Sequence, residues 1–203
     1  MSLVNRYETR EEWLTEAILM IDEQVFAPVM EGVIPDLSYR VSCSFPGGPG
    51  KKKGVVGQCW SPAASGDGTT EIFISPVEDN AVEVLDTLVH ENVHRIVGNK
   101  HGHKAPFKRL ALKVGLEGKM TSTHAGEALR EKLTELSEEL GTYPHAKVIP
   151  GEGKKKQSTR MLKIICPECD NVARQARGPY ATFGLICGAC EVPMKVDFGL
   201  EDV

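Results

Sequence analysis

The chain has 203 residues, 41% of them hydrophobic and 26% charged, with a formal net charge of −4. That length allows one sizeable domain and one small one, and the composition is that of an ordinary globular protein. No apolar run approaches the roughly 18 residues a membrane span needs. The opening MSLVNRYETREEW is too polar for a secretory signal peptide, so the expected compartment is the cytoplasm.

The charge is segregated along the chain. Residues 1–94 hold 6 basic against 15 acidic side chains, and residues 95–119 hold 7 basic ones against Glu117 alone. Residues 147–177 carry 8 basic and 3 acidic groups. Either basic stretch could meet phosphate, or be no more than a solvated helix face and a solvated linker.

In chain order, residues 8–31 read as a helix with Trp13, Ala17, Met20, Ile21 and Phe26 near one side. LSYRVSCSF at 37–45 alternates like a half-buried strand, and the glycine- and lysine-rich PGGPGKKKG that follows reads as an exposed loop. GVVGQCW at 54–60 and EIFIS at 71–75 complete a small sheet, expected to be antiparallel. Cys43 and Cys59 are expected as small apolar residues on these strands.

Residues 79–98 form the helix around which the rest is organised. Val82, Leu85, Val89, Val93 and Ile96 make its apolar stripe, with Asp79 as expected N-cap and Gly98 as the stop. Beside the stripe runs H-E-x-x-H, with His90 and His94 one turn apart and able to bind one metal ion. Glu91 falls next to them, placed to hold a water rather than the metal. The plainer reading is two surface histidines beside a salt-bridging Glu. Asn92 is expected at an exposed position. Glu83, Asp86 and Thr87, one turn upstream, are candidate partners for His90 or solvent-exposed.

A second amphipathic helix is expected over 104–115, buried through Phe107, Leu110, Ala111 and Val114. The glycines of GLEGKM break the pattern. A third, acidic helix spans 124–140 and ends at Gly141. Residues 141–160 then read as a basic, flexible linker. Beyond it, Cys166 and Cys169 face Cys187 and Cys190 across a 17-residue spacer. That pattern suits a structural four-thiolate zinc site whose surrounding strands fold only with metal. Lys154, Lys155, Lys156, Lys163, Arg174 and Arg177 are candidate phosphate contacts. Tyr180 and Phe183 could stack on bases or fill the small core.

A catalytic zinc site needs a third protein ligand and an open position. His101, His103 and Glu117 compete for that role. The metzincin spacing fails by one residue, because Gly98 and His101 fall at +4 and +7 from His94.

HENVH at 90–94, HKAPF at 103–107, and CPEC with CGAC at 166–169 and 187–190 resemble the SprT-like metallopeptidases, the family of the Spartan DNA–protein crosslink proteases. Lys104 stands where that family has Gly. The resemblance spans roughly residues 10–198. It implies an α+β fold in which a small antiparallel sheet packs on zincin-type helices, followed by a zinc ribbon. The domains it implies are a metallopeptidase at 1–140, a linker at 141–160 and a ribbon at 161–203. It makes His90, His94 and His103 the ligands of a catalytic zinc and Glu91 the catalytic residue. The implied function is zinc-dependent hydrolysis of proteins bound or crosslinked to DNA. Substrate would add to the exposed edge of a sheet, for which the 71–75 strand is the candidate. The alternative is a non-catalytic zinc protein that binds nucleic acid.

Overall fold

A computed structural model describes residues 6–35, 37–46, 54–149 and 161–197. The chain forms two compact units, Met1–Pro150 and Gly151–Val203. Together they are mixed α+β, with small sheets and five α-helices among the described residues.

In the first unit α1 spans Arg10–Ile21. Its start is fixed by reciprocal capping, with the Thr9 hydroxyl accepting from the Glu12 N–H (3.2 Å) and the Glu12 carboxylate accepting from the Thr9 N–H (3.1 Å). Trp13, Leu14, Ala17, Ile18 and Ile21 are all fully buried. The regular α-helix stops at Ile21, short of the expected 31. A π-helical turn, Asp22–Phe26, and a 3-10 turn, Ala27–Val29, carry the chain on. Phe26 is fully buried there and the Asp22 side chain is 15% exposed.

The sheet comprises β1 (Tyr39–Cys43), β2 (Gly57–Trp60) and β3 (Thr70–Ile74), in the order β1-β3-β2. It is mixed rather than antiparallel: β1 runs parallel to β3, and only β2 is antiparallel to it. Its buried side chains, Val41, Ile72 and Ile74, meet α1 and α2. Cys43 and Cys59 are half-buried against the same core, as expected. Trp60, at the end of β2, is 39% exposed.

α2 spans Ala81–Val97 and is the central element. Its N-cap is Asn80 rather than Asp79, and the Asn80 carboxamide oxygen accepts from Val82 N–H (3.0 Å) and Glu83 N–H (3.2 Å). Gly98 ends the helix as expected. Val84, Leu85, Leu88, Val89 and Val93 are fully buried, so the apolar surface is wider than one stripe.

Asn92 is not exposed but fully buried. It donates to Asp22 Oδ1 (2.7 Å) and accepts from Arg95 Nε (2.5 Å), while Arg95 holds both Asp22 oxygens at 2.6 Å. The Arg95 guanidinium also stacks 4.6 Å from the centre of the Tyr39 ring. This closed polar triangle pins the back of α2 to the turn after α1.

α3 spans Ala105–Lys113, buried through Phe107 and Ala111. The stretch read as a break is a hairpin, β4 (Leu116–Lys119) with β5 (Ser122–Ala125). α4 (Glu127–Leu140) buries Leu129, Leu133, Leu136 and Leu140 and ends at Gly141. Residues 141–149 are then not a free linker. The Trp13 indole donates to Gly141 O (3.2 Å) and the Tyr143 ring lies 4.8 Å from that of Trp13. Val148 N–H donates to Pro76 O (2.7 Å). Residues 150–160, Lys154, Lys155 and Lys156 among them, lie outside the described residues, as does most of the 46–54 loop.

The second unit pairs β6 (Leu162–Ile165) with β7 (Val172–Gln175) and β8 (Lys195–Val196), both antiparallel, with α5 (Arg177–Phe183) between the cysteine pairs. Its small core contains Ile164, Cys166, Cys187 and Met194. Tyr180 belongs to this core and donates its hydroxyl to Met194 O (2.8 Å), whereas Phe183 is 83% exposed.

Candidate functional site: two candidate metal centres

Helical spacing places His90 and His94 on one face of α2, and the turn after it delivers His103. The Nε2 atom of His103 lies 3.1 Å from that of His94 and 3.3 Å from that of His90. All three rings pack on Phe107, with centroids 4.4 to 5.0 Å away. Among the described residues these three form one of two groups that could hold a metal ion. His101 and Glu117, the other candidates, are not in it.

His90 Nδ1 bonds the Thr123 hydroxyl (2.7 Å), which leaves its Nε2 turned toward the other two rings. The sequence points to partners for His90 on α2, whereas the partner found is on β5. Of its three candidates, Glu83 pairs with Arg130 (2.6 Å). Asp86 is buried and accepts from Ala125 N–H (3.1 Å). Thr87 packs against Gly57. Asp86 thus tethers the hairpin from which Thr123 reaches back to His90. Nothing in the spacing of β5 marks Thr123 in advance.

Glu91 is 6% exposed. Burial pushes its carboxyl up to about 8, against an opposing hydrogen bond from the Cys59 N–H. A Cβ on Gly57 would lie 2.5 Å from Thr87 Cγ2 and 2.7 Å from Glu91 Oε1. Only a glycine at 57 lets β2 approach α2 this closely. Burial, then the charge of His103, lowers His90 to about 4. His94 falls to about 3 through burial and its two histidine neighbours, and burial lowers His103 as well. All three imidazoles are therefore neutral near pH 7, as metal ligands must be.

The histidines and Glu91 line a cleft of about 540 Å³. One wall is residues 54–59, leading into and along β2, and the other is 121–124 of the hairpin.

The second group is Cys166, Cys169, Cys187 and Cys190. The two pairs are built alike. Cys166 O accepts from Asp170 N–H (3.1 Å) and Cys187 O from Glu191 N–H (2.8 Å). Cys166 N–H donates to Asn171 O (3.0 Å) and Cys187 N–H to Val192 O (2.9 Å). Asp170 and Glu191 both take φ of 55°. The N–H groups of Ala189 and Cys190 lower the Cys187 thiol, while the neighbouring Cys169 thiol raises that of Cys190. Of the candidate phosphate contacts, Lys163 is paired with Asp197 (2.6 Å), while Arg174 and Arg177 are exposed.

No family model, no curated protein and no solved structure matches this chain. What fold and sites define is an α+β chain with two candidate metal centres, one of three histidines and one of four cysteines. Among the described residues no helix is long and apolar enough to cross a membrane.

Proposed function

We propose that the chain is a zinc-dependent endopeptidase of the SprT-like kind, built as a zincin-type unit followed by a zinc ribbon. The observation that carries this reading is the convergence of His90, His94 and His103 at a cleft that also contains Glu91. A tetrahedral zinc with Zn–N of about 2.05 Å needs its ligand nitrogens roughly 3.3 Å apart, and with Zn–S of about 2.3 Å its sulfurs roughly 3.8 Å apart. The His103 separations of 3.1 and 3.3 Å and the Cys169–Cys187 Sγ separation of 3.7 Å fit those spacings. Among the described residues no fourth Cys, Asp, Glu or His joins the histidine group, which argues against a purely structural ion there. Four thiolates, by contrast, close a coordination sphere, and the ribbon metal is structural.

Bound by the three histidines, zinc would supply a Lewis acid for a peptide carbonyl and lower the pKa of a water. A cation held beside Glu91 would favour its ionised carboxylate over the neutral form that burial alone favours. Glu91 then takes a proton from the water as the water oxygen bonds the carbonyl carbon. It returns that proton to the amine nitrogen as the C–N bond breaks. Thr123 keeps His90 in the tautomer that presents Nε2.

The docking edge is β2, not the 71–75 segment expected from sequence, because β3 is the central strand. Ser75 N–H donates to Val56 O (2.8 Å), so alternation turns the N–H and C=O of Gly57 out of the sheet edge toward the cleft. An extended peptide pairs there.

The substrate class we propose, proteins bound or crosslinked to DNA, rests on the family resemblance and on the exposed Arg174, Arg177 and Phe183. The test is cleavage of a DNA-bound protein by wild type and Glu91→Gln. Two metals per chain in both, with DNA-stimulated proteolysis only in wild type, is the expected result. A Glu91→Gln chain that cleaves at the wild-type rate refutes the mechanism. Proteolysis indifferent to DNA removes the DNA half.

A further inference from the structure

We propose that Asn99 is a positioning residue for the third histidine of the site, an inference that rests on His90, His94 and His103 holding a metal. His103 is the one member of the trio outside α2. The backbone bonds of the segment that delivers it are internal, His101 N–H to Gly98 O (3.2 Å), Gly102 N–H to Asn99 O (3.0 Å) and Lys104 N–H to His101 O (3.1 Å), so they do not tie it to the sheet. Residues 98–104 comprise a single 3-10 turn, Asn99–His101, between Gly98 at φ 85° and Gly102 at φ 48°. Both glycines sit where backbone freedom is greatest, so fixing this loop costs conformational entropy. No side chain caps that turn, and none caps the start of α3 at Lys104. Besides His103 itself, Asn99 is the only side chain of the loop hydrogen-bonded to other elements among the described residues.

Its grip is two-pronged. The Asn99 Nδ2 donates to the Cys59 carbonyl (2.5 Å), and the Cys59 thiol donates to Asn99 Oδ1 (3.6 Å). Alternation along β2 makes Cys59 the other residue whose backbone faces out of the sheet edge. Its N–H already holds the Glu91 carboxyl. Strand, catalytic carboxylate and third-histidine loop therefore meet at one residue. The Cys59 edge position is filled from within, which leaves Gly57 as the open one among the described residues. A rotamer change at Asn99 frees the loop, and the entropy of ordering it then falls on metal binding.

The test is zinc affinity of the full chain, titrated against a competing chelator, with the thiolate site followed separately by its cysteine reactivity. Asn99→Ala is expected to weaken one of the two metal sites roughly 10- to 100-fold and leave the thiolate site at its wild-type affinity. Asn99→Asp, close in size but without the N–H donor, is expected to show the same selective loss. Wild-type affinity at both sites in Asn99→Ala and Asn99→Asp overturns the proposal, as does equal weakening of both sites. Absence of any peptidase activity in wild type would refute the endopeptidase reading without touching this result.

Discussion

The triangle of Asp22, Asn92 and Arg95 should be costly to break from one side. The Arg95 side chain is 2% exposed and that of Asp22 15%, so the ion pair lies almost wholly out of water. In Asp22→Ala the guanidinium loses both carboxylate bonds and stays buried, and the Asn92 amide loses its acceptor. Breaking such a pair from one side costs about 3–5 kcal/mol. At roughly 3 °C per kcal/mol for a unit of this size, about 4 kcal/mol lowers Tm by roughly 12 °C. The assay is urea and thermal unfolding of the full chain followed by circular dichroism. Replacing all three partners together, Asp22→Leu with Asn92→Leu and Arg95→Met, removes the stranded groups and should recover most of the loss. A loss below about 1 kcal/mol in Asp22→Ala, or a triple variant worse than the single one, would refute the reasoning.

Thr123→Val strips His90 of its Nδ1 partner and should weaken zinc at the histidine site roughly tenfold, read by chelator competition. Gly57→Ala drives a methyl group into Thr87 and Glu91, and peptide hydrolysis should fall about 100-fold with metal content unchanged. The metal-free chain should also show a particular pH profile. His90 and His94 are lowered to about 4 and 3, so their contribution is full above pH 6.5 and lost as pH falls toward 4. Glu91, raised to about 8, contributes stability that is lost as pH rises from 4.5 through 8. Between pH 6.5 and 8 the wild-type urea midpoint should therefore drop while that of Glu91→Gln stays level. Parallel profiles would refute the buried carboxyl. Stripping the thiolate metal should unfold β6, β7 and β8 and leave the first unit intact, seen by NMR dispersion.

The helix that carries the histidines was legible because its periodicity is local: Val89 and Val93 repeat at helical spacing, and H-E-x-x-H sits in the same frame. The cysteine pairs were legible for a similar reason, since spacing alone fixes which thiols can share an ion. Strand pairing was not. β1 and β3 are separated by β2 in sequence, and no residue in LSYRVSCSF encodes a parallel neighbour. Asn92 misled because a polar side chain on a helix is ordinarily solvated, and its partner Asp22 lies 70 residues away beyond an irregular turn. The glycines of GLEGKM break the helical pattern, and the same residues enter a hairpin that their local sequence does not announce. Thr123 and Asn99 act through hydrogen bonds to distant elements, which leave no pattern in the linear order.

The chain has two tryptophans, and the fold gives them opposite surroundings. Trp13 is sealed at the seam with Gly141 and Tyr143, while Trp60 stands partly in water at the end of the cleft-lining strand. Their emission is therefore a built-in pair of optical gauges. Iodide should quench Trp60 and spare Trp13, and a peptide seated along β2 should shield the first without disturbing the second.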